Sequence, residues 1–235
     1  MIQLKMVEDI IPKDTSVIKY DIYKLCEIIL EISSIHSDFS NESLTGSDIN
    51  LKRTKVNDIL KNVGDEDAYS IIPGYLYNLR QYLNELEFLT VELDLDYIYN
   101  DLDFRLRVKQ PESIIYKLGH YNNGKRENGK IPLNKCLNDL LGFRISLEGF
   151  DHECEEFKKM CRIIKKFYKI KYIDSSKGEY KATHIYFYGN NNKFYPWELQ
   201  IWLPEDFQTN YDSHEKHKQE YIKSASIHKD AFKEV

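Results

Sequence analysis

His184-Ile185-Tyr186-Phe187-Tyr188-Gly189-Asn190-Asn191-Asn192-Lys193-Phe194-Tyr195-Pro196-Trp197-Glu198-Leu199-Gln200-Ile201-Trp202-Leu203 decides the fold class. Its two apolar runs, 184–188 and 197–203, have strand length and a β-branched and aromatic composition. The Gly189-Asn190-Asn191-Asn192 stretch between them is a turn signal, so the two strands are expected to pair antiparallel. In the second run Glu198 and Gln200 alternate with apolar neighbours, which puts both polar side chains on one face. Further strand-length runs at 141–147 and 170–173 alternate with helical stretches at 112–118 and 152–168. Strands interrupted by helices predict an α+β fold, a mixed β-sheet flanked by helices.

Towards the N-terminus the texture is helical. Asp14-Thr15-Ser16 are good N-cap residues, and Val17, Ile18, Ile22, Leu25, Ile28, Ile29 and Ile32 then recur at helical spacing. Ser, Asn and Asp enrichment marks 33–47 as a loop. A short basic helix is expected over 51–63, closed by Gly64-Asp65-Glu66-Asp67. Pro73-Gly74 opens a long amphipathic helix with Tyr75, Leu76, Leu79, Leu83, Leu86 and Leu89 as its buried side. The organisation expected is a helical N-terminal extension over 1–72 and a larger domain over 73–235.

Composition narrows the function classes. With 42% hydrophobic and 30% charged residues in a chain of 235, this is the make-up of an ordinary globule. A net charge of −5 argues against a general nucleic-acid coat protein, though not against a local basic patch. Cys26, Cys136, Cys154 and Cys161 form no CxxC pair and no zinc-type spacing, so they read as reduced thiols. His152-Glu153-Cys154 with Cys161 is the weaker, metal-binding reading of the same residues. No P-loop signature is present. The N-terminus carries neither a signal peptide nor a membrane span, and a cytoplasmic location is expected.

Four short segments carry chemistry. The first is Arg105-Leu106-Arg107-Val108-Lys109 leading to Ser113 and Lys117; its cations and a helix start suit a polyphosphate. The second is Asp139-Leu140-Leu141-Gly142-Phe143-Arg144, a carboxylate at the mouth of a strand, which suits Mg²⁺. The third is Tyr180-Lys181-Ala182-Thr183-His184, where an exposed Tyr could stack on a purine for roughly 1–3 kcal/mol. The chain has 18 tyrosines, so only its place among the other segments distinguishes Tyr180. The fourth is Trp197-Glu198-Leu199-Gln200-Ile201. Asp139 and Glu198, coming from different strands, could share one metal, and one of them could accept a hydroxyl proton. Gly119–Gly129 reads as a polar, flexible loop.

In this order the four segments resemble the synthetase domain of the RelA/SpoT family, which moves pyrophosphate from ATP to a nucleotide 3′-hydroxyl. The resemblance implies a nucleotidyltransferase-like synthetase domain over 73–235 that acts as an ATP-dependent pyrophosphokinase. It implies that Arg105, Arg107, Lys109, Ser113, Lys117 and Arg144 bind ATP. Arg107 and Arg144 would flank the adenine, and Lys109, Ser113 and Lys117 would hold the phosphates. Lys177, Tyr180, His184 and Gln200 would bind the acceptor, a guanine nucleotide (GDP or GTP), with Tyr180 on its base. Asp139 and Glu198 would be the catalytic pair and the Mg²⁺ ligands, Glu198 being the favoured base. His214 and Lys218 fall where the family places a His and Lys pair on a closing helix.

The chain departs from the family pattern at three points. Glu179 stands where Gly is usual, Lys177 lies one residue nearer to the Tyr, and Trp202 replaces an Arg. All three fall on the acceptor side. No His-Asp cluster of the family's hydrolase domain is found, so the resemblance is to small stand-alone synthetases. Toxic synthetases of similar pattern imply tRNA or an adenine nucleotide as alternative acceptors, and a neutralising antitoxin as a partner. For tRNA, the lysine-rich helix near 157–168 is the candidate contact, although an ordinary surface helix has the same composition. An inactive nucleotide-binding module is the remaining alternative.

Overall fold

The structure is a computed structural model that describes residues 20–42, 49–62, 69–123 and 128–226. Its centre is a five-stranded mixed sheet in the order β3-β4-β7-β6-β5. The strands are β3 (Arg105–Val108), β4 (Leu141–Ser146), β5 (Lys169–Asp174), β6 (Thr183–Tyr188) and β7 (Trp197–Trp202). β4 and β7 run parallel, and the other neighbours are antiparallel, including the expected β6–β7 pair. A separate hairpin joins β1 (Leu60–Asn62) to β2 (Tyr69–Ile71). The longer helices are α1 (Ile22–Glu42), α2 (Pro73–Glu92), α3 (Pro111–Asn123), α4 (Glu155–Ile164) and α5 (Phe207–Ser226).

Strand parity gives the sheet two unlike faces, since alternate side chains point to opposite sides. One face carries the cross-strand row Leu106, Phe143, Leu199 and Ile185, with Trp197 paired to Phe187 beside it. α1 and α2 cover this face: the His36 ring meets Trp197 edge-on at 4.5 Å, Phe39 lies 5.5 Å from it, and Trp197 donates its indole N–H to the Tyr82 hydroxyl at 3.2 Å. α4 adds Phe157, Met160, Cys161 and Ile164, all fully buried. The opposite face carries two polar rows. Arg105, Arg144, Gln200 and His184 stand side by side across four strands, and Arg107, Gly142, Glu198 and Tyr186 form the next row.

Several local expectations change. The N-cap expected at Asp14-Thr15-Ser16 lies outside the described residues; α1 is preceded by Asp21, whose carboxylate accepts the Lys24 N–H at 2.9 Å. The loop expected over 33–47 is helix as far as Glu42. There the Ser33 hydroxyl bonds back to the Ile29 carbonyl at 2.6 Å, and Ser33, His36 and Ser40 are buried under the sheet. The helix expected over 51–63 is instead a turn, one 3₁₀ turn (Val56–Asp58) and β1. Hydrogen bonds from Val56 to Ile131 and from Asn57 to Gly129 tie that segment to a distant part of the chain, which overrides its local preference. Packing runs without a break across residue 72, because α1 and the β1–β2 hairpin share one apolar core with the sheet. Of the loop expected over Gly119–Gly129, the first residues belong to α3, 124–127 lie outside the described residues, and Gly129 is buried.

Candidate active site

The polar face holds three connected clusters. The first forms where β3 feeds α3. Lys109 extends the β3 ladder by donating its N–H to the Leu140 carbonyl at 2.8 Å, and Pro111, preset for a first helical turn, opens α3. Lys117 follows on α3, while Asp139 sits just ahead of β4. The Lys109 ammonium lies 2.7 Å from Asp139 Oδ2 and the Lys117 ammonium 3.0 Å from Oδ1, with the Asn138 side chain 3.4 Å from Lys117. The three side chains are only 14%, 12% and 17% exposed (Lys109, Lys117, Asp139).

Burial alone would raise the Asp139 carboxyl, but Lys117 and Lys109 outweigh it and hold the group well below the usual carboxylate range. The shared carboxylate does not serve its partners equally. Burial lowers the Lys109 ammonium, whereas for Lys117 the attraction of Asp139 overcomes burial and holds it up.

The second cluster is built on β6 and β7. Glu198 Oε1 lies 2.9 Å from His184 Nδ1, and Oε2 accepts from the Gln200 amide at 2.8 Å. His184 Nε2 is 2.8 Å from the Tyr180 hydroxyl. A carboxylate facing Nδ1 favours the tautomer with its proton there, leaving Nε2 to accept from the phenol. Burial would raise the Glu198 carboxyl, but His184 outweighs it; Asp139 pushes the other way, so the two carboxylates feel one another. Lys117 also feels Glu198, which joins the two clusters electrically.

The third cluster is aromatic. The Arg144 guanidinium lies 4.4 Å over the Trp202 ring and 5.6 Å over Phe207. His214, from α5, stacks on Trp202 at 5.5 Å and meets Tyr180 edge-on at 5.2 Å. Burial, with Arg107 adding to it, lowers the His214 imidazole to about 4, so this ring is neutral near neutral pH.

Arg107, Lys109, Lys117, Asp139, Arg144, Tyr180, His184, Glu198 and Gln200 therefore come together on or beside one sheet face. Arg105 is on the same face but exposed and bound to Asp103 at 2.8 Å. Ser113 is half-buried on α3. Lys177 is exposed, and its backbone bridges to Tyr180. The side chain of Lys218 lies outside the described residues. Sequence reasoning missed Asn138, Tyr186 and Asn210. Tyr186 could have been found, because it is two residues from His184 on the same strand face.

Among the described residues no group of three or more His, Cys, Asp or Glu forms a metal cage, which also removes the His152, Cys154 and Cys161 reading. Mg²⁺ does not need such a cage, since it takes one or two carboxylates and completes its shell with phosphate oxygens and water. Asp139, just ahead of β4, and Glu198, on the neighbouring parallel strand β7, act on each other and are carboxylates of the kind that donor set takes. The lysine-rich helix near 157–168 lies on the other side of the sheet. Its Lys158 pairs with Glu153 at 2.9 Å, and Lys165 sits over Tyr172 at 5.1 Å. No helix among the described residues is long and apolar enough to cross a membrane.

No family model and no curated protein matches the chain. Solved structures are similar to it at a low level. Small alarmone synthetase 1 from Bacillus subtilis is 21% identical, with 65% of this chain and 87% of that one covered and a TM-score of 0.31. A GTP pyrophosphokinase family protein from Streptococcus pneumoniae is 18% identical over 66% and 85%, with a TM-score of 0.32. Small alarmone synthetase 2 from Bacillus subtilis is 17% identical over 66% and 90%, with a TM-score of 0.30. What the site can do is carried by its own side chains.

Proposed function

We propose that the chain is an ATP-dependent pyrophosphokinase that transfers pyrophosphate from ATP to the 3′-hydroxyl of GDP or GTP, making a (p)ppGpp-type alarmone. The carrying observation is that Lys109, Lys117, Asp139 and Glu198 form one buried electrostatic unit on the polar sheet face. Transfer of this kind asks little covalent chemistry of a protein. It needs a polyanion held still, its charge offset, and a hydroxyl delivered in line.

Each residue has a task in that scheme. Lys109, Lys117 and Ser113 hold the ATP phosphates, and Arg105 and Arg107 lie along the edge strand for its base. Asp139 and Glu198 would hold Mg²⁺, which offsets charge on the phosphate oxygens when bound. Tyr180 stacks on the guanine. Glu198 takes the proton as the 3′-oxygen bonds to the β-phosphorus and AMP leaves.

The test is incubation of the protein with labelled ATP and GDP, GTP, ATP or tRNA in separate reactions. Label on GDP or GTP supports the proposal. Label on tRNA or ATP alone overturns the acceptor, and no transfer to any of them, with ATP still bound, overturns the activity.

A further inference from the structure

Tyr180 is fixed far more firmly than a stacking ring requires. Its hydroxyl meets His184 Nε2 at 2.8 Å, and the opposite imidazole nitrogen meets Glu198 Oε1 at 2.9 Å. Ring, imidazole and carboxylate are thus coupled in series, with His184 12% exposed and Glu198 8%.

The backbone next to the ring is held as tightly. Asn210, on α5 and fully buried, accepts the Lys181 N–H at 2.7 Å and donates its amide to the Lys181 carbonyl at 2.7 Å. On the other side, Lys177 donates to the Tyr180 carbonyl at 2.9 Å. Trp202 and His214 meet the ring edge-on at 6.2 and 5.2 Å.

Stacking on a base uses the π-face of an aromatic ring, which Phe supplies as well as Tyr. A half-buried hydroxyl bonded to the imidazole that also holds Glu198 serves a different end. It fixes the distance between whatever lies on the ring and the carboxylate.

We infer that His184 and Asn210 are positioning residues. They lock Tyr180 at a set distance from Glu198, so that an acceptor nucleotide stacked on the ring presents its hydroxyl to that carboxylate. His184 in this arrangement contacts no acceptor atom: one nitrogen is spent on Tyr180 and the other on Glu198. Asn210 reaches the same loop from a helix that joins the chain only after β7, so α5 sets the geometry of the acceptor side. The inference rests on the pyrophosphokinase reading and deepens it, since it says what makes transfer productive once the acceptor is bound.

The test is steady-state kinetics of Tyr180→Phe, His184→Gln, Asn210→Ser and Tyr180→Ala, with labelled ATP and GDP or GTP. Melting temperatures and binding of a non-hydrolysable ATP analogue are measured in parallel. Tyr180→Phe keeps the stacking face and loses only the tie. Its kcat is expected to fall about 10- to 100-fold, as a misplacement of about 1 Å would give, with acceptor KM within about threefold of wild type. His184→Gln and Asn210→Ser are expected to show the same split. Tyr180→Ala, which loses the stacking face, is expected to raise acceptor KM about 10- to 100-fold as well.

Tyr180→Phe with wild-type kcat overturns the inference. So does His184→Gln with raised acceptor KM and unchanged kcat, which would make His184 an acceptor contact. Unaltered analogue binding shows that the fold has survived, and Tyr180→Phe, the least disruptive change, decides the case if another variant is unstable. A wild-type protein that transfers nothing to GDP or GTP overturns the guanine-nucleotide acceptor, and one that transfers to no acceptor overturns the pyrophosphokinase reading itself; both results are visible before any variant is made.

Discussion

Asp139→Asn tests the charge balance of the site directly. In the wild type one carboxylate serves two ammonium groups, at 2.7 and 3.0 Å, with all three side chains mostly buried. The amide removes the negative charge and leaves two like charges side by side. Removing one member of a buried ion pair costs about 3–5 kcal/mol. Lys109 can recover part of that by giving up its proton, because burial already lowers its ammonium. A net loss of about 3 kcal/mol is therefore reasonable, or roughly 6–12 °C in melting temperature for a chain of this size. A triphosphate would supply the missing negative charge. In a chelator-containing buffer the nucleotide must draw the lysines away from Asp139 in the wild type, whereas in the variant they are free. The assay is thermal unfolding of both proteins with and without a non-hydrolysable ATP analogue in chelator. The variant should start lower and gain several degrees more from the nucleotide, as ligand linkage requires. Equal melting temperatures without ligand, or equal gains with it, would refute the reasoning.

Three further outcomes are expected. Burial lowers His36 to about 4, against a slight opposing pull from the Tyr195 carbonyl. The unfolded chain therefore binds the extra proton first, and stability should fall as pH drops from about 6.5 towards 4, by up to about 3 kcal/mol, and level off below. Urea titrations across that window check this; His36→Gln should remove its share of the slope, while His214, lowered to about 4 as well, keeps the rest. Gly129 has φ +72°, and an added Cβ would lie 2.7 Å from both Asn57 Cβ and the Asn122 side chain. Gly129→Ala should cost about 1–3 kcal/mol by denaturation, whereas Gly74→Ala, with nothing within 4 Å, should be neutral or slightly stabilising. Arg107→Ala should weaken binding of the ATP analogue more than Arg144→Ala does, as calorimetry would show, because the Arg144 guanidinium is already engaged by Trp202 and Phe207.

The central hairpin was legible because one period of two carried the information. Glu198 and Gln200 alternate with apolar neighbours, and the Gly-Asn stretch marks the break between two strands that pair antiparallel. β3 follows the same rule, with Leu106 and Val108 on the packed face and Arg105 and Arg107 exposed. Its four residues are too few for that pattern to outweigh two arginines, so the segment reads first as a run of charge. The end of α1 was hidden for a different reason. Ser33 and Ser40 look like loop residues, but the sheet they approach offers them burial, and the Ser33 hydroxyl finds a partner in the Ile29 carbonyl of its own helix. Residues 51–62 have the apolar spacing of a helix. What decides their shape is a set of hydrogen bonds to residues more than seventy positions away, which no local pattern encodes.

In the site, the identities of the charged residues were readable, but not which of them pair. Two lysines and an aspartate suggest a phosphate seat and a metal ligand as separate items, whereas the fold brings all three onto one ion cluster. Trp202 makes the same point more sharply. As a departure from Arg it looks like a loss of charge on the acceptor side. In the fold, a cation there would stand against Arg144, whose guanidinium lies 4.4 Å from the indole ring. An aromatic ring turns that repulsion into a cation–π attraction. The indole also gives His214 a surface to stack on, and His214 in turn meets the Tyr180 ring. Trp202 is thus one member of a packed set, Arg144, Trp202, His214 and Tyr180, drawn from two strands, a helix and a loop. With the Arg144 guanidinium over Trp202 and Arg105 bound to Asp103, Arg107 is the exposed guanidinium of the face that acts on Lys109.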